Sequence, residues 1–543
     1  MRFGVNYTPR QGWFYHWLDF SPVEIARDLD AIAALGVDHI RIFPLWPLIQ
    51  PHRGLIRPAA LKDVERVLEL ADQRGLDVCV DGLQGHLSSF DFLPAWLTSW
   101  HRRDMFTDPD VIESTATYLT DLATTCAAHP NLMALTVGNE VNQFTGAAHP
   151  QPFLATEDEA GAWASTMIEA LRRGAEAGRP QDARAGGAGA ADDREGVDRT
   201  DRGGGTRDAR THGSNADWGG VAVVQACYDA TWYDPAQPFT PTQAARLGDL
   251  TVVHSWVFNG TAQRYGPDSF ETRAHARYLV EVARAFQADP ARPVWVQEVG
   301  TPHTVIPTSN TEAFMEATVN SLLDAPHLFG ITWWASHDVS PTLADFPPVE
   351  YTLGLIDTTG HIKPEGRLFR DLVAQARSTA STPLPRPTMR STEVSDRLEA
   401  HPTPSHTGPN SVMCPTEATD ALDAHPTASP TLPRPAGGTP IAAGTPAGRS
   451  EDRWGGPAEA GPPADKAARP APPLSPPTDP TDSTNPTEPT PERTNQDQTI
   501  VLDLTKVGGR AALAPGGVFW QTYMRQARQS GHPRILIEGD RHA

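Results

Sequence analysis

Cysteine is scarce in this chain. The four cysteines among 543 residues, Cys79, Cys126, Cys227 and Cys414, include no C-x-x-C pair. Zinc-ribbon and thioredoxin-type chemistry is therefore set aside, and buried free thiols are expected. Basic residues are also few: 45 Lys and Arg stand against 66 Asp and Glu, a net charge of −21. That balance argues against nucleic acid or an anionic membrane surface as the main partner and leaves a neutral ligand open. No apolar run is long enough to span a bilayer. No signal peptide precedes the strand-like segment Arg2-Phe3-Gly4-Val5-Asn6-Tyr7, so a cytoplasmic location is expected as the chain is written, with secretion left open. A monomer is expected.

Up to about residue 375, short apolar runs alternate with amphipathic stretches, the pattern of a parallel sheet with crossover helices. The runs are Phe3–Tyr7, Val37–Phe43, Asp77–Gly82, Leu132–Val137, Val221–Ala226, Leu250–Val253, Val294–Gln297 and Gly330–Trp334. Eight is the number that closes a barrel, so the fold class is α/β, a (β/α)8 TIM barrel over residues 1–375. Helix starts are marked by Ser21-Pro22-Val23-Glu24 and Thr156-Glu157-Asp158-Glu159, both with capping-box spacing. Leu61, Val64, Leu68 and Ala71 form an apolar stripe that stops at Gly75.

Two stretches break the alternation. Residues 174–217 hold Gly, Ala, Asp and Arg with almost no large apolar side chain, and they read as a disordered insertion. Residues 376–498 are crowded with Pro, Thr, Ser and Ala and read as a disordered linker or tail. Beyond them, Thr499–Ala543 regains apolar residues such as Phe519-Trp520 and Ile535-Leu536-Ile537. This short C-terminal segment reads as a small ordered or binding-coupled patch of unknown role.

The chemistry-bearing signals are two glutamates at strand ends. Val137-Gly138-Asn139-Glu140 closes the fourth apolar run, and Val294-Trp295-Val296-Gln297-Glu298 closes the seventh. The strand C-terminal ends form the active face of such a barrel, and strands four and seven lie across its mouth. Two facing carboxylates suit glycosidic cleavage: one gives a proton to the leaving oxygen, while the other, ionised, attacks the anomeric carbon. Either glutamate alone reads equally well as an ordinary strand-end residue. The end of the first run reads Asn6-Tyr7-Thr8 rather than the His-x-His of metal-dependent barrel hydrolases, so no metal and no other cofactor is expected.

Asn139-Glu140 on strand four and Glu298 on strand seven resemble the retaining glycosidases of the glycoside hydrolase family 5 clan, the cellulase and mannanase group. The resemblance covers about residues 1–375 without the insertion. It implies Glu140 as acid/base and Glu298 as nucleophile, in double displacement on β-linked hexose oligo- or polysaccharides of glucan or mannan type. It also implies sugar- or site-binding roles for Arg41 on strand two, Asn139, His254 on strand six and Trp334 on strand eight. Arg41 would hold the nucleophile ionised, Asn139 would bond a 2-hydroxyl, and the Trp334 indole would carry a pyranose face.

The chain departs from that pattern at two places. Leu83 stands where the family ends strand three in histidine, with His86 nearby as a substitute. Trp256 stands where it has a tyrosine against the nucleophile, and indole can donate one hydrogen bond but accept none. Aromatics crowd the loops at the mouth: Trp13, Phe14, Tyr15 and Trp17, then Trp46, then Trp96 and Trp100. They read as sugar platforms or as loop packing. His337-Asp338 reads as a hydroxyl partner or a turn. A transglycosylase and a catalytically inactive carbohydrate-binding barrel are the competing readings.

Overall fold

The computed structural model describes residues 1–180 (except 85, 89, 100, 147 and 148), 220–380 and 498–539. Eight strands form one parallel sheet: β1 (Arg2–Asn6), β2 (His39–Ile42), β3 (Asp77–Leu83), β4 (Leu132–Gly138), β5 (Ala222–Val224), β6 (Thr251–Ser255), β7 (Val294–Val299) and β8 (Leu328–Trp333). Their order is β5-β4-β3-β2-β1-β8-β7-β6. The seam between β5 and β6 is bridged through Asp249. Its N–H donates to the Val223 carbonyl at 2.8 Å, and its carboxylate accepts the Val223 N–H at 2.7 Å. Each apolar run read from the sequence supplies one strand, with bounds shifted by a residue or two.

A helix follows every strand: α1 (Pro22–Ala33), α2 (Pro58–Asp72), α3 (Pro109–Cys126), α4 (Glu157–Gly178), α5 (Pro241–Arg246), α6 (His275–Phe286), α7 (Thr311–Leu323) and α8 (Pro364–Ala380). The caps explain where they begin. The Ser21 hydroxyl accepts the Glu24 N–H with Pro22 in the first turn, and Thr156 and Glu159 close a reciprocal capping box. Between these layers lies the main core, where Phe3, Val5, Ile40, Ile42, Val78, Val80, Leu135, Val137, Val253, Val296 and Ile331 point from the strands toward the helices. The described cysteines, Cys79, Cys126 and Cys227, are free and buried. No helix among the described residues is long and apolar enough to cross a membrane.

The insertion read from residue 174 overlaps α4, which runs on to Gly178. A Cβ on Gly174 would lie 2.3 Å from the Thr120 carbonyl of α3. One on Gly178 would lie 2.1 Å from the Thr124 carbonyl, so the two glycines that looked like disorder in composition allow a close helix–helix approach. Residues 181–219 and 381–497, which hold the rest of that insertion and nearly all of the Pro-rich stretch, lie outside the described residues.

The C-terminal segment is ordered and packed on the barrel. It forms β9 (Thr499–Leu502), parallel to β10 (Arg534–Ile537), with α9 (Val518–Ser530) between them. The Trp520 ring stacks on Tyr265 with centroids 4.8 Å apart, Tyr523 meets Tyr278 edge-on at 4.9 Å, and the Tyr278 hydroxyl donates to the Leu513 carbonyl at 2.7 Å. Trp520→Ala should therefore destabilise the whole barrel by about 3–5 kcal/mol, the usual cost of emptying a large aromatic site. Thermal unfolding would register this as a single lowered transition. An unchanged midpoint would mean the segment is an appendage rather than part of the core.

Candidate active site

The strand C-terminal ends converge on one polar cluster, and Arg41 of β2 is its hub. The guanidinium, fully buried, donates to Glu298 at 2.6 Å, to Asn139 at 2.7 Å and to Asn6 at 3.1 Å, and it also pairs with Asp81 of β3. Buried charge is tolerable only when paired and fully hydrogen-bonded, and this fork meets both conditions. Burial alone would lower the arginine pKa, but Asp81 and Glu298 outweigh it and hold the cation more firmly than usual. Burial pushes the Asp81 carboxyl up to about 6 against the pull of Arg41.

β7 reaches this cluster through a bulge. Val296 pairs with both Val253 and Ile331, but the next partner of His254 is Glu298, so Gln297 is an extra residue. Such a bulge re-aims side chains next to a site. Here it lets two successive residues face the cluster. Gln297 meets His254 at 3.3 Å and donates to the Thr136 hydroxyl at 3.2 Å. Glu298 takes Arg41 on one oxygen and the Trp256 indole N–H, at 3.2 Å, on the other. Burial raises the Glu298 pKa, with Glu140 adding to the rise while His254 and Arg41 oppose it.

Glu140 follows β4 in the left-handed backbone region, φ 47°, a conformation that costs a non-glycine residue about 1–3 kcal/mol. Its carboxylate accepts from Gln143 at 2.6 Å and meets His254 Nδ1 at 2.8 Å. His254 is wholly buried. Burial alone would depress the imidazole pKa, but Glu298 and Glu140 more than reverse this and raise it. Glu140, His254 and Glu298 each bring one ligand-type atom within 4.8 Å of the others. This is the one trio among the described residues with metal-ligand spacing. Of the three, Glu298 is the one that pairs with Arg41.

Asp229, beyond β5, lies close by. It accepts from Tyr233 and Asn259, and burial, with a contribution from Glu140, lifts its carboxyl to about 7. Beside it is a cavity of ≈ 460 Å³ lined by Tyr228, Tyr233 and Asn259 of the barrel and by Ala511 and Ala514 of the C-terminal segment. Asp229→Asn should weaken the dependence of stability on pH. An acid raised in the folded state contributes stability that is complete below its unfolded pKa near 4 and lost as pH rises through about 7. The variant's stability relative to wild type should thus improve from pH 4.5 to pH 8, by at most about 4 kcal/mol. Parallel denaturation curves at the two pH values would refute it.

The structure brings Arg41, Asn139, Glu140, His254, Trp256 and Glu298 together. Trp334 is adjacent, edge-on to Trp256 at 6.3 Å and to Phe43 at 5.7 Å. Three of the expected sugar contacts are corrected. Trp46 is wholly buried, stacked on Tyr118, with its N–H given to Gln50. Trp13 packs among Phe14, Phe90 and Phe346 and is also buried. Both rings are used up by loop packing. His337 lies beneath the first loop, against Ser336 at 3.0 Å and Tyr7, and burial brings its pKa down to about 4. The backbone of His86 forms a two-residue hairpin strand; its side chain and Trp100 lie outside the described residues. Asn6, Asp81, Gln143 and Asp229 join the site without having been singled out in the sequence. Asp81 alone left a trace, as an acid inside the apolar run Val78-Cys79-Val80-Asp81.

A (β/α)8 barrel that buries two facing glutamates at its strand ends, one on Arg41 and one on His254, defines a glycosidase. No protein-family model matches the chain, and no curated protein does. Among solved structures, the chain is similar to a GH5_18 enzyme from Streptomyces cattleya, solved in complex with Manβ1-4GlcNAc. Identity is 36%, with 99% of this chain and 94% of that one covered and a TM-score of 0.68. A second structure of that enzyme, with GlcNAc, matches at 37% identity, 99% and 93% coverage and a TM-score of 0.68. A GH5_18 protein from Bifidobacterium longum subsp. infantis matches at 31% identity, 99% and 92% coverage and a TM-score of 0.67. The chain belongs to glycoside hydrolase family 5, and within it to the GH5_18 group.

Proposed function

We propose that this protein is a retaining β-mannosidase that cleaves Manβ1-4GlcNAc-type saccharides, with Glu298 as nucleophile and Glu140 as acid/base. The observation that carries the reading is the closeness of Glu140 and Glu298, whose carboxylate oxygens approach within 4.8 Å. A gap near 5 Å suits direct attack on the anomeric carbon, whereas inversion needs about 6.5–9.5 Å to admit a water. Two carboxyls this close resist ionising together. Arg41 and the Trp256 N–H both face Glu298, which favours the charge on the nucleophile. That is the starting state double displacement requires.

The mannose and N-acetylglucosamine assignment rests on the saccharides held by the Streptomyces cattleya structures. The test is to follow Manβ1-4GlcNAc hydrolysis by proton NMR. Release of β-mannose first, with later mutarotation, is expected. Release of α-mannose first would overturn retention. Cleavage of β-glucosides with no cleavage of this disaccharide would overturn the substrate.

A further inference from the structure

Glu350 is a carboxylate that the double displacement does not use. It begins a single helical turn, Glu350–Thr352, in the connection between β8 and α8, and it is half-buried. One oxygen accepts from the Ser88 hydroxyl at 2.9 Å, and Trp334 lies close enough to the same carboxyl to oppose the rise of its pKa. None of its close partners is a cation: the charges felt most strongly are the like charges of Glu298 and Glu140, and burial with these charges pushes it up to about 7. A carboxyl kept at a site mouth without a counter-ion is destabilising for the fold alone, which is the signature of a group retained for a ligand.

Its position is built from both sides. Ser88 is held in the left-handed region, φ 50°, in the tight turn between His86–Leu87 and Phe90–Asp91. That turn and the β8 connection are locked together through Phe90, Phe346 and Trp13, with Phe90 and Phe346 centroids 4.9 Å apart and Trp13 and Phe346 4.6 Å apart. The aromatics that do not touch sugar thus fix the two loops that present Ser88 and Glu350. Val349 and Tyr351, on either side of Glu350, pack in the apolar cluster that holds Trp334, so the carboxyl is presented beside that ring. A pyranose lying on Trp334 would turn its ring hydroxyls toward it.

We propose that Glu350 determines specificity for the sugar on the non-reducing side of the cut bond, accepting hydrogen bonds from adjacent hydroxyls of the hexose ring that rests on Trp334. This extends the glycosidase reading of the same site and depends on it. Ser88 holds one oxygen of the carboxyl, and its remaining lone pairs match two neighbouring O–H donors, a geometry that a carboxylate satisfies and an apolar side chain cannot.

The test is a cycle between enzyme and substrate. Wild type, Glu350→Gln and Glu350→Ala are each assayed with aryl β-hexosides lacking one ring hydroxyl at a time. The parent sugar is whichever the wild type cleaves fastest, so an error over mannose leaves the Glu350 result readable. Wild type should lose about 100-fold in kcat/KM when the contacted hydroxyl is removed, because the carboxyl is then left unpaired. Glu350→Ala should lose about as much on the intact sugar and little more on the deoxy sugar. Glu350→Gln, which keeps the shape and the Ser88 contact, should fall between them. Deoxy penalties that are equal in all three proteins, at every ring position, would overturn the proposal and leave Glu350 as a loop fastener.

Discussion

Replacing Glu298 with alanine should abolish hydrolysis of natural and activated β-glycosides alike, with a loss on the order of 10⁵-fold in kcat, the scale seen when a covalent nucleophile is removed. Both steps of a double displacement pass through this carboxylate, so no leaving group, however good, restores the rate. The fold should survive. Arg41 would still hold Asp81, Asn139 and Asn6, and the buried guanidinium is not stranded. The cavity left by the side chain opens beneath the anomeric carbon, and azide is small enough to enter it. Azide should then displace an activated leaving group from the face the carboxylate occupied, giving the α-glycosyl azide. Isolation of the β-azide from this variant would mean that another group forms the covalent bond. Near-wild-type activity would place the nucleophile elsewhere altogether.

The architecture was legible because its signals are additive along the chain. Eight apolar runs, spaced by capped helices, specify a barrel even when each boundary is uncertain by a residue or two, since the side-chain pattern of a buried parallel strand repeats eight times. Glu140 and Glu298 were legible for a related reason: a lone acid at the end of an apolar run is conspicuous. What bound them was less visible. The bulge at Gln297 depends on how β7 pairs with β6 and β8, and no local residue pattern announces it. Trp13 and Trp46 looked like sugar platforms because a tryptophan in a loop at the mouth reads the same whether its face is bare or packed. Only the neighbours Phe346, for one, and Tyr118, for the other, decide it. Glu350 sat in a loop with no periodicity, and its role depends on Ser88, 262 residues away in sequence. The C-terminal segment was obscured by length, because some forty residues cannot bury a core alone. Its Trp520 is buried only because Tyr265 and Tyr278 of the barrel receive it.

Glu140→Ala should behave differently from Glu298→Ala, and the difference separates the two roles. Glu140 first acts as an acid and then as a base, so its loss matters in proportion to the help each step needs. A dinitrophenyl leaving group departs without a proton. With such a substrate the first step should remain fast, and the glycosyl-enzyme on Glu298 should accumulate, because no base remains to deprotonate water. A burst of phenolate followed by turnover about 10²–10⁴-fold slower than wild type is expected. With Manβ1-4GlcNAc, whose leaving oxygen is an alcohol, the first step itself should fail and no burst should appear. Azide needs no deprotonation, so adding it should restore turnover on the dinitrophenyl substrate and yield the β-glycosyl azide, the opposite anomer from the nucleophile variant. His254 complicates this in a useful way. It stands 2.8 Å from Glu140 and 3.3 Å from Glu298, and without Glu140 it loses one of the two carboxylates that raise its pKa. The imidazole should therefore spend more time neutral and could itself serve as a weak base at alkaline pH. Residual hydrolysis by Glu140→Ala should rise with pH and disappear in Glu140→Ala/His254→Ala, while azide rescue of the double variant persists. Equal loss on activated and unactivated substrates, with no azide product, would remove Glu140 from the acid/base role.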